Sequence, residues 1–260
     1  MLHTSKSLRY KYLVWAFSLI ASFGYSQGTA QLFQTGLKYE AQYHFKDALP
    51  VFESLLKSDS GDTRYLSNCA YLYAKVWHDQ TTATDEERTA AYNIALYLAK
   101  KAIKADSNNA EAHYATAFAI GVLNENAGSK EQIANAKAMK TEIDKCLKSD
   151  PRHAGAYHLL GRWYRRLAEL NGFERFAMKT FYGTSLPQAT LQDAINAFEH
   201  AYIYQPGYIL HQYEMAFTYH EMGKDADAKI WLNMAIKADY AGDDAADTKT
   251  KCRKLLDEIK

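Results

Sequence analysis

A helix ending that recurs five times constrains this chain more than any other feature. Similar segments stand at Lys57-Ser58-Asp59-Ser60, Lys104-Ala105-Asp106-Ser107, Lys148-Ser149-Asp150-Pro151, Tyr204-Gln205-Pro206 and Lys237-Ala238-Asp239. Counting back eleven, seven and four residues from each Asp or Gln gives Ala48/Phe52/Leu55, Ala95/Ala99/Ala102, Met139/Ile143/Cys146, Ala194/Phe198/Ala201 and Ala228/Leu232/Ala235, all apolar. Spacings of four and three place each trio on one stripe of a helix, with small residues where a second helix comes close. Counting forward eleven and fourteen residues gives Ala70/Tyr73, Ala117/Ile120, Gly161/Tyr164 and Ala216/Tyr219, and Gly36/Tyr39 precedes the first ending. Each is a small residue three before a large one. Only 13 Gly and 4 Pro occur in 260 residues, a share that disfavours turn-rich sandwiches and disordered chains. The pattern predicts an all-α stack of helix pairs.

This pattern resembles the tetratricopeptide repeat (TPR), whose period is 34 residues. The family's first-helix Trp and Leu are mostly absent, with Leu32 and Leu160 the best survivors. Successive endings lie 47, 44, 55 and 34 residues apart, so three repeats carry about 13, 10 and 21 extra residues. Spacing within each helix is kept, which assigns the additions to Tyr73–Ala95, Ile120–Met139 and Tyr164–Ala194, as longer helices or embellished loops. After the fifth repeat, Asp243 and Asp244 can cap a helix with Cys252, Leu255, Leu256 and Ile259 on one stripe. The expectation is a TPR-like solenoid of five repeats over 27–242 and a C-terminal capping helix over 243–260.

A second resemblance covers about Asp150 to Ala238. Gly161-Arg162-Trp163, Phe173-Glu174-Arg175, Tyr182-Gly183-Thr184, Pro187, Ala189-Thr190, Ala194, Phe198, Pro206-Gly207 and Trp231-Leu232 are similar to the TPR-like domain of the regulator of microtubule dynamics family, departing from it at Gly172 and Ser185-Leu186. The resemblance implies a non-enzymatic interaction domain.

The N-terminus reads as an export signal. Lys6, Arg9 and Lys11 precede an apolar run from Tyr12 to Ile20, and Gly24 and Ser26 stand where a signal peptidase requires small residues. The run is interrupted by Ser18, Ser22 and Gly24 and falls short of the roughly 20 residues a membrane span needs. Cleavage would start the mature chain at Gln27. No Cys follows the site until Cys69, which argues against a lipid-modified N-terminus. The periplasm is the expected compartment, with eukaryotic secretion as the alternative; the family's microtubule label does not transfer to an exported chain.

In a TPR stack the first helix of each pair lines the concave face. The residue after each small position gives Leu37, Tyr71, Phe118, Arg162 and Phe217, and four residues earlier lie Phe33, Ser67, Tyr114, His158 and Tyr213. The expected groove is aromatic and apolar with one basic spot at Arg162 and Arg165, and the candidate binding residues are Phe33, Tyr71, Tyr114, Phe118, Arg162, Arg165, Tyr213 and Phe217. Such a surface suits a protein or peptide partner, or a lipid or other apolar ligand. Alternatively the longest insertion, with Phe173, Phe176, Ala177, Thr180 and Phe181 on one stripe, folds back and fills it. Arg162, Arg165, Arg166 and Arg175 with Glu169 and Glu174 could hold an anion, or pair with one another across the insertion.

Catalytic signals are absent from the sequence. Nine His include no HExxH pair, and neither GxSxG nor a phosphate-cradling glycine loop occurs. Cys69, Cys146 and Cys252 are an odd count without CxxC spacing, each at an apolar helical position, which predicts buried thiols rather than a disulfide framework or zinc site. A net charge of +1 and no long charged runs exclude a broad nucleic-acid surface. No cofactor or metal is expected. An enzyme with a site assembled from distant loops is the remaining alternative.

Overall fold

The computed structural model describes residues 28–125, 127–182 and 188–259. The proposed signal segment lies outside the described residues. Helices pair in chain order: α1 (28–41) with α2 (Phe45–Ser58), α3 (Thr63–Asp79) with α4 (Asp85–Ala105), and α5 (Ala110–Asn124) with α6 (Ser129–Ser149). Next come α7 (Ala154–Ala168), an additional α8 (Gly172–Tyr182) and α9 (Leu191–Tyr204), followed by α10 (Ile209–Glu221) with α11 (Asp225–Lys237) and a final α12 (Ala245–Glu258). These are the five expected pairs and the terminal helix. The extra residues become a longer α4 and α6 and the whole of α8.

The recurring Asp has a local cause. Asp59, Asp106 and Asp150 are each the C-terminal cap of a second helix, and each carboxylate accepts the amide N–H two residues on. That side-chain turn reverses the chain in a few residues. Asp62, Asn109 and His153 then cap the next first helix, His153 accepting the Ala156 N–H at Nδ1. Thr84 and Thr190 open α4 and α9 with reciprocal capping boxes.

The repeat stripe is the core. Of its fifteen second-helix residues all but the partly buried Met139 are fully buried. The small first-helix positions exist for contact: a Cβ at Gly36 would stand 2.7 Å from the Phe52 ring, and one at Gly161 would stand 2.5 Å from Phe198. Cys69, Cys146 and Cys252 are buried in the same layers, and burial pushes their thiols upward, Cys69 to about 12 and Cys252 to about 11.

The stack closes on itself. The turn between α1 and α2 places Tyr43 in a left-handed conformation (φ 62°), with its ring stacked on Tyr208 at 5.0 Å and tilted against Tyr240 at 5.1 Å. Gly242 lets the chains approach, since a Cβ there would lie 2.6 Å from the Tyr43 Cβ. The Asp243 N–H donates to the Tyr43 carbonyl, and the Asp243 carboxylate accepts the Lys46 N–H at 2.8 Å. Asp244 does not cap α12 through its side chain, contrary to the sequence reading. Its carboxylate instead accepts Lys75 Nζ at 3.1 Å, the Tyr208 hydroxyl at 2.7 Å and the Tyr240 hydroxyl. The carboxylate is thus spent on a cation 169 residues away and two hydroxyls rather than on the first amides of α12.

Candidate functional site

Closure leaves a cavity of about 660 Å³ at the centre, walled by the first helices α1, α3, α5, α7 and α10 and floored in part by α12. An aromatic ladder runs along one wall: Tyr71 to Tyr114 at 5.0 Å, Tyr71 to Phe118 at 5.5 Å, and Tyr114 to His153 at 4.5 Å. Tyr114 reaches across to the next repeat because Gly155 has no side chain; a Cβ there would stand 2.5 Å from the ring. Phe33, Tyr71, Tyr114, Phe118 and Arg162 all line this cavity, as does His158.

The other three candidates are placed elsewhere. Tyr213 and Phe217 pair at 6.3 Å and pack in the cluster of Cys252, Leu255 and Ile259, where α12 covers the face that a next repeat would cover. Arg165 ion-pairs with Glu214, donates to Thr218 Oγ1 at 3.1 Å and lies between the Phe198 and Phe217 rings. Burial opposes ionisation of Glu214, but Arg165 and Arg162 outweigh it and hold the carboxyl below the usual range.

The cavity is less apolar than two register positions per helix suggest, because positions one turn further carry charge. Lys75, four after Tyr71, is 5% exposed and bridges Asp79 at 2.8 Å and Asp244. Glu40, four after Gly36, has its carboxyl raised to about 8, chiefly by burial and then by Glu111. His153 lies 3.2 Å from Glu111, whose attraction exceeds the cost of burial and lifts the imidazole above its ordinary range.

Among the described residues, none of the long insertion lines this cavity. Its helix α8 packs through Met178 in a cluster with Trp163 and Leu167 of α7, Ile133 and Ala136 of α6, and Ala189, while Phe176 is 70% exposed. The side chains of Phe173, Ala177 and Phe181 lie outside the described residues. Arg166 pairs with Glu174 at 2.9 Å and Arg175 donates to the Leu167 carbonyl, so these charges fasten α7 to α8. A second cavity of about 510 Å³ lies between α5, α6, α7 and α8, with Ile133, Met139, Leu159 and Met178 inside and arginines with glutamates at its edge. Among the described residues no group of His, Cys, Asp and Glu side chains is arranged to hold a metal ion, and no helix is long and apolar enough to cross a membrane.

The helix pairing, the small-to-large contacts and the concave cavity define a TPR-type helical repeat. A thermophilic TPR protein of Thermus thermophilus has the same fold, with a TM-score of 0.61 at 17% identity over 88% of this chain and 98% of its own. The chain belongs to the family described as regulator of microtubule dynamics protein 1-3, whose model matches residues 31–260. The likeness therefore extends well beyond the Asp150–Ala238 segment that carries the motifs. Regulator of microtubule dynamics protein 3 of Rattus norvegicus is 30% identical over 62% of this chain and 35% of its own length. Regulator of microtubule dynamics protein 1 of Bos taurus is 27% identical over 76% of this chain and 62% of its own. The chain thus matches only about a third of the length of the first relative and less than two thirds of the second.

Proposed function

We propose that this chain is an exported, non-enzymatic binding module that holds an extended segment of a partner protein in the central cavity. The observation that carries the reading is the ladder of Tyr71, Tyr114 and Phe118 along a concave wall, with the Arg162 guanidinium at its end. Each aliphatic or aromatic side chain of a partner buried there contributes about 1.5–3 kcal/mol. Two such anchors only just offset an association cost of at least about 4 kcal/mol, so polar contacts must supply the rest. Arg162 is suited to this: its side chain is 41% exposed, and Glu125 and Glu214 stand at 3.6 and 3.9 Å, long for hydrogen bonds. The lysine- and arginine-led apolar segment of residues 1–26 supports export, which would keep the chain apart from tubulin.

Selection from a phage-displayed random peptide library tests the reading. Peptides carrying aromatic or aliphatic anchors should be enriched on the wild-type chain and lost on Phe118→Ala. Failure to enrich any peptide, or enrichment equal on both chains, would reject the groove as a peptide site. A tightly held apolar small molecule released from the purified protein by organic solvent would favour the lipid reading instead.

A further inference from the structure

The polar wall of the cavity contains an imidazole pair whose proton positions follow from its neighbours. His158 on α7 and His211 on α10 meet with their Nδ1 atoms 2.9 Å apart, and both side chains are buried, His158 at 8% and His211 at 0% exposure. Burial pushes both imidazoles well below their ordinary range, His158 further through Arg162, Lys75 and Arg165 and His211 through His158, so each carries one proton near neutral pH. Gln205 Oε1 lies 3.3 Å from His211 Nε2. Oε1 only accepts, so His211 Nε2 carries the hydrogen and His211 Nδ1 is bare. A bare Nδ1 at 2.9 Å requires that His158 donate from Nδ1. His158 is left with a bare Nε2 that has no hydrogen-bond partner among the described residues, on a side chain lining the cavity.

Arg162 is one helical turn from His158, so their side chains stand about 5–6 Å apart at Cβ and present an acceptor beside a donor. An extended peptide offers the complement, since the N–H and C=O of one residue point to the same edge. We infer that His158 Nε2 and the Arg162 guanidinium form a subsite that reads the main chain of the bound peptide, accepting one residue's N–H and donating to its carbonyl. The inference rests on the peptide reading above. It assigns main-chain recognition to α7 and leaves side-chain anchoring to the ladder.

Long-range proton–nitrogen NMR of the histidine-labelled full chain tests this without a natural partner. The account requires a pyridine-type Nε2 and a pyrrole-type Nδ1 at His158. Gln205→Leu, which removes the acceptor from the end of the chain of bonds, should shift Nε2 toward the average of mixed tautomers. Titration with N-acetylalanine dimethylamide, which carries one N–H, should shift the Nε2 resonance saturably, and N-acetylproline dimethylamide, which carries none, should not. Arg162→Met should abolish the response. A protonated Nε2, or equal or absent responses to the two amides, would overturn the subsite. The tautomer is read without any peptide, so a correct tautomer without an amide response removes the subsite alone, while the library selection decides the groove.

Discussion

Replacing Lys75 by Met removes the cation that joins the two ends of the repeat stack. In the native protein Lys75 is held above its ordinary range because Asp79 and Asp244 outweigh the cost of burying it, and it also lies 5.2 Å from the Phe45 ring centre. Met fills most of the space but leaves two carboxylates facing each other without their shared cation. Removing one partner of a buried ion pair costs about 3–5 kcal/mol. At about 2–4 °C per kcal/mol for a chain of this size, the melting temperature should fall by roughly 6–20 °C. Asp244→Ala is the control. It leaves Lys75 paired with Asp79 at 2.8 Å and strands two tyrosine hydroxyls rather than a charge, at about 1–3 kcal/mol each. The sign of the pH response separates this from simple loss of packing. Without Lys75 the carboxylates gain by protonation, so the deficit of Lys75→Met should shrink as pH falls from 7 to 4. Urea denaturation of both variants at the two pH values reads the outcome. A Lys75→Met deficit below about 0.5 kcal/mol, or one that does not shrink as pH falls, would refute closure by a buried charge.

Further outcomes follow from other sites. Glu40→Gln should match the wild type near pH 4 and be the more stable above it, because a carboxyl raised to about 8 in the folded state makes the native chain lose stability as pH climbs from the unfolded value; the gap should level off above pH 8, as urea titrations across pH would show. The His158 and His211 imidazoles have depressed folded values, so they contribute stability above the unfolded value of about 6.5 that is lost as pH falls below it; a His158→Leu/His211→Leu chain should have a flatter stability profile from pH 7 to 5. Gly161→Ala drives a methyl into Phe198 and should cost about 1–3 kcal/mol by thermal unfolding. Gly172→Ala, which meets nothing within 4 Å, should be neutral or stabilising in the same assay. Mass spectrometry of the chain expressed with export allowed should give a product beginning at Gln27; the full mass in a membrane fraction would make residues 1–26 an anchor.

Much of this architecture is legible in the sequence because its determinants are local. The Asp at each helix ending caps a turn within two residues, and Gly36, Ala70, Ala117, Gly161 and Ala216 mark each close helix contact by size alone. The same register places Phe33, Tyr71, Tyr114, Phe118, His158 and Arg162 on the concave wall, since one helix period maps them all. It fails for Tyr213 and Phe217, where α12 stands in for a sixth repeat and occupies the face they would open on. It also fails for Arg165, because the pairing depends on Glu214 from a helix 49 residues on. Lys75 and Glu40 gave no signal, as a charged residue one turn beyond a register position looks like any solvated helix face, and Asp244 read only as a cap for α12. Only the closure of the stack, a contact between its ends, brings them inside.

The central claim is that a peptide binds in the cavity through the ladder and Arg162. Calorimetric titration of one library-selected peptide against Phe118→Ala, Arg162→Ala and Phe176→Ala tests it most directly. Phe118 and Arg162 line the cavity, whereas Phe176 is exposed on α8 outside it. The account predicts that each cavity variant weakens binding by about thirtyfold, the effect of losing an anchor worth about 2 kcal/mol, and that Phe176→Ala binds as the wild type does. Full affinity in both cavity variants with loss in Phe176→Ala would place the interaction on the outer surface and contradict it.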